Sequence, residues 1–60
     1  MALVDYWVIG TNRETSIVVY ERRFVRVRDA QAHRADMEKR FPEDVYHIQQ
    51  ETKVIGGGGA

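Results

Sequence analysis

Thr15-Ser16-Ile17-Val18-Val19-Tyr20-Glu21-Arg22-Arg23-Phe24-Val25-Arg26-Val27-Arg28 is the stretch on which the reading of the fold turns. β-Branched and aromatic side chains suit a pleated, half-buried surface, so residues 16–27 read as a strand. The quoted stretch, 15–28, holds four of the nine cations, which makes the strand an arginine ribbon as well. It is long for one strand. Ile17 and Val19 alternate regularly, two charged positions follow, and Phe24 then falls on the opposite parity to Val25 and Val27. A β-bulge near Glu21-Arg22-Arg23 is therefore expected, with a break into two short strands as the alternative.

Toward the N-terminus, residues 3–11 are aromatic and β-branched, and Asn12-Arg13-Glu14-Thr15 is polar and turn-like. The two segments form a hairpin that sets Leu3 roughly opposite Arg26. Toward the C-terminus, Asp29 is a good helix N-cap, residues 29–41 favour helix, and Pro42 stops it. Ala30, His33, Arg34, Met37 and Phe41 recur on one helical face, a thin apolar stripe. Lys39 and Arg40 sit in the last turn, where the helix dipole favours cations. Residues 44–52 alternate as a third strand, returning over the helix by a right-handed crossover. With that strand beside the first, the sheet order is 2-1-3 and every neighbour is antiparallel. The expected fold is α+β: a three-stranded antiparallel sheet in the order ββαβ with one helix on one face. It fills a single domain, residues 1–53, followed by a flexible glycine-rich tail, 54–60.

Sixty residues make at most one domain, and a domain of that size buries only about 60% of the surface its unfolded chain exposes. There is no cysteine, which excludes disulfides and thiolate metal sites and favours the cytoplasm over a secreted setting. Nine cations balance nine anions, which argues against a general polyanion binder. Residues 13–40 nevertheless hold eight of the cations against five of the anions, so one basic face can exist. The apolar opening has no basic lead-in and is interrupted by Asp5, so it reads as a strand and not as a signal peptide. No run approaches the ~18–20 apolar residues of a membrane span.

Two features point toward binding. Arg22, Arg26 and Arg28 share one strand parity with Tyr20 and Phe24, and basic residues interleaved with aromatics suit a nucleic-acid platform or an acidic protein patch. The plainer alternative is a solvated face whose arginines pair with Glu21, Asp5 or helix acids, contacts that add little stability. Trp7 is the second feature. One helix covers only one side of a three-stranded sheet, so the other side exposes either Trp7 with Ile9 and Leu3, or Tyr6 with Val4 and Val8. An aromatic patch of that kind marks an interface, although an edge position half covered by arginine stems would also accommodate Trp7. The expected partner-binding residues are thus Arg22, Arg26, Arg28 and Trp7.

Catalysis and metal binding find no support. His33 and His47 are the two histidines, with no cysteine and no acid at a ligand spacing, so no metal is expected. Ser16 is the lone serine and has no nucleophile-elbow context. The glycine cluster is terminal, so no phosphate-cradling loop exists. No cofactor is expected, and the chain is read as a non-enzyme.

The order of elements, from Tyr6-Trp7-Val8-Ile9 through the β-branched second strand, the helix opened by Asp29-Ala30, the Phe41-Pro42 stop and Val45-Tyr46-His47-Ile48, resembles small phage-encoded ββαβ inhibitor proteins. These include inhibitors of bacterial RNA polymerase and several anti-CRISPR proteins. The resemblance spans roughly residues 4–52 and lies in pattern and length. The polymerase inhibitor is acidic and uses arginines of its last strand, where this chain has Gln49 and Gln50, so no site residue is carried over. It implies a binding protein that occludes a surface of a larger protein or protein–nucleic-acid complex, working in the host cytoplasm if phage-encoded. Direct nucleic-acid binding by the arginine strand and a homodimer that buries the free sheet face are the alternatives.

Overall fold

The computed structural model describes residues 2–54 and consists of β1 (Ala2–Asn12), β2 (Val18–Phe24), α1 (Val27–Arg40) and β3 (Asp44–Val54). β1 is the central strand, with β2 on one side and β3 on the other, both antiparallel to it. This is the expected α+β fold, a three-stranded antiparallel sheet with one helix in the order ββαβ. The tail expected at 54–60 falls mostly outside the described residues; Val54 itself belongs to β3.

Alternation along β1 decides which face is covered. Val8 is fully buried beneath α1, together with Ala30 and Met37 of the helix and Tyr46 of β3. Tyr6, Tyr20, Phe24 and Ile48 pack around this small core. Ala30, fully buried, is the small residue of this cluster. Gly10 has a different role. It lies opposite both Tyr46 and Tyr20, and a Cβ at this position would sit 2.5 Å from Cε1 of Tyr46. The absent side chain is what allows the Tyr46 ring to lie across the central strand, edge-on to Tyr20 with centroids 6.2 Å apart.

The hairpin is held by Asn12. Its Oδ1 accepts from the backbone N–H of Glu14 and of Thr15, both at 2.9 Å, the local bonding by which Asn favours turns. Its backbone N–H donates to the Ile17 carbonyl at 2.8 Å, and its carbonyl accepts from Ser16 at the same distance. Ser16 closes the loop with φ 62°, in the left-handed region. Gly10 pairs with Tyr20 and Thr11 with Val18, so Val19 is the extra residue of a bulge.

That position corrects the bulge expected at Glu21–Arg23. From Tyr20 to Phe24 the pairing is regular, and Tyr6 stands opposite Phe24. The broken parity beyond Phe24 arises because the chain leaves the sheet. Val25 is 73% exposed in a bend, and Val27 already begins α1. The second strand is therefore seven residues, not the twelve of 16–27. Arg26 and Arg28 are not strand residues: Arg26 is the helix N-cap, with φ −114° and ψ 134°, and Arg28 lies in the first turn.

Asp29 is likewise not the N-cap. Arg26 holds that position with no side-chain capping bond, and Asp29 stands inside the first turn, where its charge still opposes the positive helix end. The helix ends as expected. Phe41 donates its N–H to the Met37 carbonyl at 2.9 Å, and Pro42 follows in a turn closed by Asp44 N–H to the Phe41 carbonyl at 3.1 Å. Asp36 and Arg40 pair at 3.1 Å across one turn, and Arg34 and Glu38 at 3.8 Å. Both pairs are solvent-exposed, so each adds only about 0.3–0.5 kcal/mol. β3 extends two residues beyond the expected 44–52, to Val54, paired throughout with β1.

Candidate contact surface

The side of the sheet away from α1 carries the odd-numbered residues of β1. Leu3, Asp5, Trp7 and Ile9 lie there, since their strand neighbours Val4, Tyr6 and Val8 point to the helix. Directly opposite residues of paired strands share a face, which adds Arg23 and Glu21 from β2 and Val45, His47, Gln49, Glu51 and Lys53 from β3. Of the two alternatives for the uncovered side, the one containing Trp7, Ile9 and Leu3 holds. No described element covers this face.

Trp7 sits in its middle, half-buried, with Arg23 opposite on one side and Gln49 on the other. Its indole N–H donates to Oε1 of Glu51 at 3.4 Å. Glu51 also meets Lys53 Nζ at 3.6 Å, and Asp5 meets Arg23 at 4.0 Å. A shallow depression of ≈ 220 Å³ lies among Trp7, Ile9, Glu21, Gln49 and Glu51. That is below the ≈ 300–1,000 Å³ of small-molecule sites, so the surface suits a flat macromolecular contact. Leu3, Val18 and Val45, each about half exposed, continue the apolar area toward its ends.

The arginines divide between the two sides. Arg22 pairs with Val8 and so lies on the helix side of the sheet, its guanidinium 5.3 Å from the Phe24 ring centroid. This is cation–π geometry. Arg26 and Arg28 follow, both exposed, at the β2–α1 corner. Arg22, Arg26 and Arg28 thus form a corner beside the helix N-terminus, and Trp7 lies on the other face. The arginine that accompanies Trp7 is Arg23. Sequence alone did not single it out, because the face of each β2 residue depends on the bulge at Val19; the Asn12 turn and the glycine at position 10 were the available signals.

The histidines also separate. His33 faces the sheet from α1, where its Nε2 shares a hydrogen bond with the Tyr20 hydroxyl, its ring stacked on Tyr20 at 5.7 Å and tilted against Phe24 at 5.1 Å. His47 lies on the uncovered face. Among the described residues no three His, Cys, Asp or Glu side chains converge as a metal site. The ionisation of Tyr46 is perturbed by its surroundings. Burial raises its pKa above the usual 10.0, and the charges of Asp44 and Glu43, a side-chain hydrogen bond to Asp44 and the neighbouring Tyr20 act in the same direction. A phenol held neutral in this way is a packing element.

A second hollow, ≈ 440 Å³, lies between the hairpin loop and the Pro42–Glu43 turn and is lined by Asn12, Arg13, Glu14, Pro42 and Glu43. All but Asn12 are exposed, and no pair of them forms a nucleophile with a base. Among the described residues no helix is long and apolar enough to cross a membrane. Comparisons with protein-family models, with characterised proteins and with solved structures find no match for this chain.

Proposed function

We propose that the chain is a non-enzymatic binding protein that acts by occluding a surface of a larger partner, with the uncovered face of the sheet as its contact surface. The observation that carries this reading is the half-buried Trp7 beside Ile9 on a face that α1 leaves open. Tryptophan and arginine dominate the energy of protein interfaces, and Arg23 stands opposite Trp7. In its narrower form the partner is a host nucleic-acid machine and the protein a phage-encoded inhibitor working in the host cytoplasm. The ββαβ order supports that form by resemblance.

The test is a capture experiment with the purified chain and three variants: Trp7→Glu, Arg23→Glu, and Arg22, Arg26 and Arg28 replaced together by Glu. Loss of the captured partner with Trp7→Glu and Arg23→Glu, at an unchanged circular-dichroism spectrum, supports the open face. Capture that survives both of these and is lost only with the triple variant moves the site to the arginine corner. The corner is also the surface for the second reading, direct nucleic-acid binding. That reading requires affinity that falls steeply with salt concentration, as counterion release dictates, and an anisotropy titration without binding at low salt removes it.

A further inference from the structure

The two outer edges of the sheet are built differently. The β2 edge is short, is interrupted by the bulge at Val19 and carries Glu21, Arg22 and Arg23 in succession. Bulges, charges and shortness are the devices by which sheets discourage pairing with another chain. The β3 edge has none of them along its centre. It runs eleven residues in unbroken register with β1, contains no proline, and carries the uncharged or weakly basic His47, Ile48, Gln49 and Gln50 in the middle. Its outer backbone groups face no strand.

This edge is complementary to itself when reversed. About a twofold axis through Gln49, every residue of one β3 meets a residue of the other: Ile48 meets Gln50, His47 meets Glu51, Tyr46 meets Thr52, Val45 meets Lys53 and Asp44 meets Val54. No pair joins like charges, and His47 with Glu51 sets an imidazole against a carboxylate on both sides of the axis. Moving the axis to Gln50 sets His47 against Lys53, and moving it to Ile48 runs the strand end past Pro42, which has no N–H to give.

We infer that the outer edge of β3 is the docking surface for a second copy of this chain, through an antiparallel β3–β3 seam centred on Gln49. Opposite residues share a face, so both helices lie on one side of a six-stranded sheet and both Trp7 faces lie on the other. This dimer leaves the contact surface open and doubles it. The inference does not rest on the proposed function, and its test uses no partner.

Sedimentation of the unmodified chain is expected to give a dimer at high micromolar concentration. With no native cysteine, Gln49→Cys is a single reporter: opposite Cα atoms of such a pair lie about 4.5–5.5 Å apart, within disulfide reach. Under mild oxidation it is expected to cross-link on the order of tenfold faster than Glu21→Cys on the other edge. Gln49→Lys, which sets two ammonium groups against each other, is expected to return the chain to a monomer with its circular dichroism intact. Acrylamide quenching of Trp7, the single tryptophan, is expected to be independent of protein concentration. A monomer at high micromolar concentration, equal cross-linking at the two edges, or Trp7 becoming shielded as the chain associates would each overturn the seam, the last by pointing to a face-to-face dimer.

Discussion

One face of the sheet is closed by a helix and the other is open, and the two are lined by alternate residues of the same strand. On the closed side Val8, Tyr46, Ala30 and Met37 leave water almost completely. On the open side Trp7 and Ile9 remain half-buried among Asp5, Arg23, Gln49 and Glu51. The comparison teaches that a chain of this size divides its large apolar side chains between two tasks. Among the described residues, four buried apolar side chains form the core, and the tryptophan, the largest side chain present, is kept out of it.

The difference is sharpest where the closed face is cut. Met37→Ala is expected to lower stability by about 2–5 kcal/mol, a large part of what a domain this small has, and urea denaturation would read it as a fall in midpoint. Trp7→Ala is expected to cost clearly less, although it removes a larger side chain. An equal or greater cost for Trp7→Ala would mean that the open face is not open. Gly10→Ala comes next, at about 1–3 kcal/mol, because its Cβ collides with the Tyr46 ring. A variant as stable as the parent would show that the ring does not lie across β1.

Tyr46→Phe tests the closed face by pH. The folded phenol titrates above the usual 10.0, so the folded state holds its proton more tightly than the unfolded chain does. Its contribution is constant below about pH 10 and is lost as the pH rises through the folded-state value. The phenylalanine variant, which has no proton to lose, is expected to show a shallower decline in alkali. The smallest effect belongs to the hairpin that sets which residues reach which face. Ser16→Gly relieves a left-handed backbone and is expected to raise stability by at most about 1 kcal/mol, read as a small upward shift in Tm.

Much of this comparison was legible in the sequence. The alternation of Val4, Tyr6 and Val8 with Leu3, Asp5, Trp7 and Ile9 gives the two faces of β1 directly, and the Ala30, His33, Met37 spacing gives the buried stripe of α1. The antiparallel order 2-1-3 follows from a tight hairpin and a helical crossover. What sequence could not supply was where β2 stops. Val25 and Val27 have strand propensity, yet Val25 lies exposed in a bend and Val27 opens the helix, because tertiary context outweighs local preference. That boundary removes Arg26 and Arg28 from the strand. The bulge at Val19 then decides that Arg23, not Arg22, joins Trp7, since a shift of one residue exchanges the faces.

The most direct test of the open face is capture of the partner by the parent chain and by Trp7→Glu at equal concentration, with thermal melts run in parallel. The account predicts that Trp7→Glu loses the partner while its melt stays close to that of the parent. A partner retained in full by a folded Trp7→Glu protein would contradict it.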